Sequence, residues 1–187
     1  MLDIVETAIP DVKIVVTNAF GDDRGYFTEL FNERSFAEFG LWHDFVQDSF
    51  SMSRSRHTLR GMHFQIPPMA QVKLVRCLAG AILDVVVDIR HGSPTFGAHV
   101  AVELTAINRK QLLVPVGFAH GFLTLTDGAE VTYKQSNYYS PDHERTLAFD
   151  GAGVDWEIDL ATATIAEKDR GRPPLDALPI YFRCDPE

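Results

Sequence analysis

The sequence predicts an all-β domain, a sandwich or barrel such as a jelly roll. Runs of aromatic and β-branched residues dominate the chain, and turn-forming residues interrupt them at short intervals. Many short strands joined by tight turns are typical of such β architectures. The predicted strands are Val12–Thr17, Phe50–Ser55, Leu59–Phe64, Val72–Leu78, Ile82–Ile89, Val100–Leu104, Gln111–Val114, Gly121–Thr126 and Glu130–Ser136.

Local signals add a hairpin and two helical segments. The dipeptide Asp127-Gly128 separates two alternating runs, and both residues tolerate the positive φ angles of a two-residue hairpin turn. A helix is predicted over Glu33–Phe39, with Asn32 as its N-cap and Gly40 as its stop. The segment Asp159–Arg170 is predicted to be wholly or partly helical.

Composition limits the classes of protein that the chain can represent. Its 187 residues fit one domain, residues 1–187, and 26 acidic against 17 basic side chains give a formal charge of −9. That charge argues against binding to nucleic acid or to a membrane surface. Cys77 and Cys184 are too few for a disulfide scaffold and lack metal-ligand spacing, so we expect a reducing cytoplasm. Neither a signal-peptide pattern nor an apolar run of membrane-spanning length is present.

The acidic excess is uneven along the chain. No Asp or Glu occurs between Ser49 and Leu83, a stretch that carries +5, which leaves −14 for the remainder. A basic stretch in an acidic chain suggests a site for a small anion such as a phosphate, although acidic neighbours in space could offset it. Its basic residues are Arg54, Arg56, Arg60, Lys73 and Arg76.

Strand alternation places several polar side chains inside the predicted barrel. Lys73 shares a face with Val75, Tyr133 shares one with Val131, and Asp84 shares one with Val86. A lysine inside a barrel must either form an internal salt bridge or serve a ligand. Both possibilities stay open from alternation alone.

Three segments carry residues suited to acid–base chemistry. The strand Arg60–Gln65 delivers His63 as either a general base or a satisfied core histidine. The segment Pro115–Phe122 carries His120 on a bend flanked by glycine. Tyrosines in Tyr133–Pro141 can donate protons or simply pack.

In order and spacing, these segments resemble the dTDP-4-dehydrorhamnose 3,5-epimerase family over most of the chain, from about Asp22 to Leu175. The resemblance implies a cupin-like double-stranded β-helix, or jelly roll, with short peripheral helices. The motifs that carry it are Asp23–Glu29, Phe45–Asp48, Leu59–Gln65, Gln71–Arg76, Asp84–Arg90, Ser93–Gly97, Val114–Phe122, Tyr133-Lys134, Asn137–Pro141 and Glu167–Asp169.

The resemblance implies an isomerase that inverts the carbons flanking the 4-keto group of a dTDP-4-keto-6-deoxyhexose, without metal or redox cofactor. His63 would remove the proton α to the ketone, with Asp169 orienting it. Lys73 would stabilise the enolate oxygen, and Tyr133 would return a proton from the opposite face. This division of roles agrees with the chemistry, because an α-proton is acidic only when the enolate oxygen is stabilised.

The resemblance also implies a substrate-binding set and a homodimer in which Arg24 and Glu29 reach a neighbouring subunit's site. Ser49 stands where the family usually has Asn. Strict alternation would put Arg60 and His63 on opposite faces, so either a bulge at Gly61 resolves the conflict or Arg60 only supports the site. The implied substrate-binding residues are Arg24, Phe27, Glu29, Gln47, Asp48, Ser49, Arg60, His120, Tyr139, Glu144 and Lys168.

Three alternatives remain open on the sequence. The first is an enzyme of the same family that epimerises only C3 or only C5. The second is a metal cupin using His63 and His120, for which Gln65 stands where a second histidine is wanted and no matched carboxylate is evident. The third is a non-catalytic cupin that binds a sugar nucleotide.

Overall fold

Two facing β-sheets form the computed structural model, which describes residues 2–184. The first sheet has the strand order β1-β2-β11-β7-β13-β5, and the second has the order β10-β8-β12-β6-β14, with β15 also pairing to β6. The strands are β1 (Leu2–Glu6), β2 (Lys13–Thr17), β3 (Ala19–Asp22), β4 (Gly25–Thr28), β5 (Gln47–Ser53), β6 (Thr58–Gln65), β7 (Lys73–Ala79), β8 (Ala81–Asp88), β9 (Arg90–His91), β10 (His99–Thr105), β11 (Lys110–Val114), β12 (Phe118–Thr124), β13 (Ala129–Gln135), β14 (Glu144–Thr146), β15 (Thr164–Ile165) and β16 (Phe182–Arg183). This arrangement confirms the predicted all-β jelly-roll class.

The main core lies between the two sheets. Val75 and Val131 of the first sheet pack there against Val86 and Phe122 of the second, and all four are at most 4% exposed. Burial of this apolar surface is the main force that holds the sheets together. Because side chains alternate along a strand, Lys73 shares the inward face of β7 with Val75, as predicted.

Two further apolar layers cover the outer faces of the sheets. Val85 and Leu123, on the outer face of the second sheet, pack in one cluster with Leu147 and Trp156 of the C-terminal segment. On the first sheet, Leu74 packs in a cluster with Phe36 of the only α-helix within residues 2–184, α1 (Glu33–Glu38). Sheets buried on both faces explain why the strands read as nearly continuous apolar runs.

A bulge in β6 brings two predicted site residues to one face. His63 pairs with His120 of β12, whereas Arg60 pairs with Phe122, so three residue steps on β6 oppose two on β12. The extra residue reverses the alternation between Arg60 and His63. Both side chains therefore point between the sheets, which confirms the predicted bulge at Gly61.

The bulge depends on two glycines that cross at close range. Gly61 has a φ of +121°, and a Cβ placed on it would lie 2.6 Å from Gly121 Cα and 2.8 Å from the His120 carbonyl oxygen. A Cβ on Gly121 would lie 2.7 Å from the Arg60 carbonyl oxygen. No other residue type fits at either position without displacing backbone.

The predicted hairpin at Asp127-Gly128 is wrong, although the turn exists. It connects β12 to β13, which belong to different sheets and do not pair. Asp127 Oδ1 accepts a hydrogen bond of 2.7 Å from the Arg56 backbone N–H, and Gly128 has a φ of +62°. Turn chemistry identified the reversal of direction, but strand pairing is decided by the core that each strand covers.

The two predicted helical segments had different outcomes. At α1, Asn32 Oδ1 accepts a hydrogen bond of 3.2 Å from Ser35 N–H, which confirms Asn32 as the N-cap. The segment Asp159–Arg170 forms only single 3-10 turns, with β15 between them, because Ile165 pairs with the edge of β6. The 3-10 turns are Leu160–Thr162, Glu167–Asp169 and, further on, Leu175–Ala177. Within residues 2–184, none of the helices has the length and apolar character needed to cross a bilayer.

Replacing Gly61 with alanine is expected to lower the free energy of unfolding by about 3 kcal/mol or more, because the new Cβ meets backbone atoms and the φ is unfavourable. Gly153→Ala is the control, since Gly153 has a φ of +65° with no atom within 4 Å of the added Cβ. It should cost only about 1 to 2 kcal/mol. Urea unfolding of both variants measures the difference, and equal losses would contradict the close-crossing account.

Candidate active site

A cavity of about 390 Å³ opens between the two sheets at the β6 bulge. Of the fifteen site residues that the sequence predicted, eleven line it. The eleven are Gln47, Ser49, Arg60, His63, Lys73, His120, Tyr133, Tyr139, Glu144, Lys168 and Asp169. Its size is within the usual range for small-molecule sites, and its walls combine both sheets with the C-terminal segment.

His63 and Asp169 form the closest ionisable pair in the cavity. His63 Nε2 lies 2.7 Å from Asp169 Oδ1, and Asp169 is only 2% exposed. Burial acts to raise the pKa of Asp169, but hydrogen bonds from His63 and Gly61 and the charge of Lys168 lower it overall. An ionised Asp169 accepts the Nε2–H of His63, so Nδ1 is the ring nitrogen left for a ligand.

Lys73 enters the cavity from the first sheet. Its Nζ lies 3.5 Å from the backbone carbonyl oxygen of His63 on the second sheet. Burial lowers the pKa of Lys73 to about 8, while the charges of Glu144 and Asp84 act in the opposite direction. At neutral pH the amine is therefore mostly cationic, and it is close to the point at which it loses that charge.

Tyr133 faces the cavity from β13, in the sheet opposite His63. Burial raises the pKa of Tyr133, Ser49 and Arg60 act to lower it, and the charge of Glu144 raises it further. The phenol is consequently protonated at neutral pH and able to donate. A histidine and a tyrosine thus approach the same space from opposite sheets.

A polar network closes one end of the cavity around Gln135. Its Oε1 accepts hydrogen bonds from Ser49 Oγ at 2.8 Å and from Gln47 Nε2 at 3.1 Å. Gln47 Oε1 in turn accepts from the Tyr139 backbone N–H at 3.0 Å, and Tyr139 Oη donates to Glu144 at 3.1 Å. This network fixes four of the predicted binding residues relative to one another.

Sequence reasoning missed Gln135 as a site residue, although strand alternation puts it on the same inward face as Tyr133. Ser51, Phe122 and Ala166 also line the cavity. Their small or apolar side chains carry no chemical signal that distinguishes them from core residues.

Four predicted residues lie outside the cavity. The side chain of Asp48 points to the outer face of the first sheet, where Lys134 Nζ donates to it at 3.0 Å, because β5 alternates between Gln47 and Ser49. Its side-chain position does not support a substrate contact. Arg24, Phe27 and Glu29 belong to the hairpin of β3 and β4 or follow it directly, and Phe27 is 70% exposed.

The basic stretch of the sequence forms only part of an anion site. Arg60 and Lys73 line the cavity, whereas Arg54 and Arg56 are exposed near the β5–β6 turn. Arg76 is 4% exposed and lies on the outer face of the first sheet, since it alternates with the inward residues of β7. Closeness in sequence therefore overstated the local positive charge.

Among residues 2–184, His, Cys, Asp and Glu side chains form no group of three or more suited to holding a metal ion. Both cavity histidines are engaged through Nε2 with a carboxylate, His63 with Asp169 and His120 with Asp84. Their surroundings are those of hydrogen-bonded side chains.

A family model described as dTDP-4-dehydrorhamnose 3,5-epimerase matches residues 6–177 of the chain. The chain belongs to this family. A relative of that name from Salmonella typhimurium is 46% identical over 179 residues, which cover 94% of this chain and 97% of the relative.

Solved structures of the dTDP-4-dehydrorhamnose 3,5-epimerase family have the same fold. The enzyme of that name from Bacillus anthracis, solved with TDP and PPi bound, is 42% identical, with a TM-score of 0.90 and coverage of 93% of this chain and 99% of that one. A dTDP-6-deoxy-D-glucose-3,5-epimerase from Legionella pneumophila, in complex with dTDP-4-keto-L-rhamnose, is 37% identical, with a TM-score of 0.94 and full coverage of both chains. The cupin-like fold that the motifs implied is thereby confirmed.

Lys73 is expected to titrate near pH 8, well below the usual lysine value of 10.5, because burial disfavours its charged form. Reductive methylation with ¹³C-formaldehyde followed by NMR would report the titration, and Lys73→Met identifies the resonance by its loss. A midpoint at or above the usual value would contradict the burial of this amine.

Proposed function

We propose that this protein epimerises dTDP-4-dehydro-6-deoxy-D-glucose at C3 and C5 to give dTDP-4-dehydro-L-rhamnose. Membership of the family supports the reaction. The observation that carries the proposal is the cavity geometry. His63, paired with Asp169, faces Tyr133 from the opposite sheet, and Lys73 lines the same space. Inversion at carbon requires a base and an acid on opposite faces of the ring, and the two sheets supply one each.

In the first step, Nδ1 of His63 takes the proton from the carbon next to the ketone. The C–H electron pair forms the enolate double bond, and negative charge moves to the C4 oxygen. Lys73 stabilises that oxygen through its ammonium group. Asp169 holds the imidazole in the required tautomer and stabilises the imidazolium that forms.

In the second step, the Tyr133 hydroxyl gives its proton to the same carbon from the opposite face. The enolate electron pair forms the new C–H bond, the ketone returns, and the phenolate recovers a proton from solvent. The protonated His63 likewise releases its proton. Each inversion therefore replaces one substrate hydrogen with one from solvent, and repeating the sequence at the second carbon completes the reaction.

The remaining cavity residues are proposed to bind the nucleotide. Arg60 and Lys168 supply positive charge for the diphosphate. Gln47, Ser49 and Tyr139, fixed by the Gln135 network, offer amide, hydroxyl and aromatic groups for the nucleoside. In this structure the Ser49 hydroxyl donates to Gln135 Oε1 at 2.8 Å.

A homodimer is proposed to complete the site. Phe27, Phe20 and Tyr26 on the β3–β4 hairpin are 70%, 65% and 57% exposed, which is an unusual concentration of aromatic surface. Arg24 and Glu29 accompany them, away from their own chain's cavity. Covering this hairpin with a second copy would bury the aromatic rings and bring Arg24 and Glu29 to the partner's cavity.

Single-carbon epimerisation is the closest alternative, because one base, one acid and one oxyanion donor suffice for either carbon. A metal cupin or a non-catalytic binding protein is less consistent with a cavity that unites His63, Lys73, Tyr133 and Asp169. Metal analysis of the purified protein would revive the former if it found stoichiometric iron or manganese. A cytoplasmic location remains a prediction from the cysteine content.

Incubation with dTDP-4-keto-6-deoxyglucose in heavy water is expected to introduce deuterium at both C3 and C5, measured by NMR of the sugar. Deuterium at one carbon only would identify a single epimerase.

His63→Ala should abolish incorporation while leaving dTDP binding, measured by calorimetry, largely intact, because the base lies at the sugar end. His99→Ala, which alters a histidine outside the cavity, should exchange at the wild-type rate. Unchanged exchange in His63→Ala would refute its role as the base.

Mixing Arg24→Ala with His63→Ala subunits tests whether the hairpin serves the neighbouring site. Each variant alone should be nearly inactive. A mixed dimer has one site with both residues intact, so an equimolar, re-equilibrated mixture should recover about a quarter of wild-type activity. No recovery above the single variants, with dimer exchange shown by mass spectrometry, would place Arg24 in its own chain's site.

A further inference from the structure

Asp84 is a buried carboxylate next to the cavity that does not line it. It lies on the inward face of β8, it is 0% exposed, and its Oδ1 is 2.7 Å from Nε2 of His120. Its Oδ2 has no hydrogen-bond partner within residues 2–184. Burying a carboxylate with an unpartnered oxygen is unfavourable unless nearby positive charge offsets the lost hydration.

The basic side chains near Asp84 belong to the cavity. His120 lines the cavity and contacts Asp84 directly, and Lys73 lines it from the opposite sheet. The net pKa of Lys73 is about 8, because burial lowers it more than the charges of Glu144 and Asp84 raise it. Asp84 is thus linked to two cavity side chains without itself being able to reach a ligand.

We propose that Asp84 is a positioning residue that orients His120 and sustains the positive charge opposite the developing enolate. His120 donates its Nε2–H to Asp84, so Nδ1 is the only ring nitrogen that can meet the substrate. The Asp84 carboxylate behind His120 also favours the ammonium form of Lys73 on the opposite sheet, against the effect of burial. This inference rests on the proposed epimerase function and adds a residue to it.

The pH dependence of Lys73 reflects every charged group around it. Glu144 of β14 and Asp84 of β8 favour the ammonium form, whereas burial opposes it. The other ionisable side chains of the cavity lie on β6, β12, β13 and the segment after β15, and Cys77 lies on the strand of Lys73 itself. These cavity side chains are Arg60, His63, His120, Tyr133, Lys168 and Asp169, with Tyr139 in the segment after β13.

Asp84→Asn tests the proposal, because asparagine keeps the shape and can still accept from His120 but carries no charge. We expect kcat to fall on the order of 10- to 100-fold, less than the ~10²- to 10³-fold typical of losing an oxyanion donor itself. KM should change little, and the alkaline limb of the kcat/KM profile should move to lower pH as Lys73 loses its proton more readily. A lower kcat with an unmoved alkaline limb would indicate a merely structural role and overturn the proposal, as would unchanged kinetics.

Asp88→Asn is the matched control. Asp88 is a second fully buried carboxylate on β8, held by Arg90, Ser93 and Thr95 and outside the cavity. Removing its charge tests the general effect of losing a buried carboxylate from this strand. Its alkaline limb should match that of the wild-type protein even if stability falls.

A measurement on the unmodified protein decides the matter if Asp84→Asn fails to fold. ¹⁵N-histidine NMR of the wild type, with His120 assigned by the loss of its signals in His120→Asn, should show Nε2 protonated across the pH range of activity. An unprotonated Nε2 would overturn the proposal. The exchange assay on the wild-type protein in heavy water tests the epimerase function separately from the role of Asp84. Absence of exchange would contradict the epimerase function, whereas the NMR result would still report on Asp84.

Discussion

The close approach of Gly61 and Gly121 determines which side chains enter the barrel. Because neither glycine has a Cβ, β6 and β12 come together tightly enough to accommodate one extra residue on β6. That residue places Arg60 and His63 on the same inward face. Without it, regular alternation would leave only one of the two side chains in the cavity.

The cavity shows how a polar site is maintained in an apolar barrel. Val75, Val131 and Phe122 fill the core beside it. Burial lowers the pKa of Lys73 and raises the pKa of Tyr133, so it favours the neutral form of each side chain. Carboxylates close to the basic groups oppose that tendency. The net charge of −9 describes the whole chain, whereas the site depends on a few side chains whose ionisation is set by their neighbours.

Much of the fold and site could be predicted because alternation is a local property. The inward positions of Lys73 and Tyr133 followed from period-two patterning, and the bulge followed from the conflict between Arg60 and His63. Pairing is not local, so the Asp127-Gly128 turn was misassigned to a hairpin. The Asp169 contact spans 106 residues, and only the family resemblance predicted it. The motif also could not show that the Asp48 side chain faces away from the cavity, because residues adjacent in sequence face opposite sides of a strand, and its substrate contact stays a prediction.

The central claim is that an acid and a base act on opposite faces of a ring whose ketone is held by Lys73. The most direct test is a crystal structure of the protein with dTDP-4-keto-L-rhamnose bound. The account predicts the C4 oxygen within hydrogen-bonding distance of Lys73 Nζ, with His63 Nδ1 and Tyr133 Oη on opposite faces of the sugar. A sugar with both side chains on one face, or with its ketone directed away from Lys73, would contradict the account.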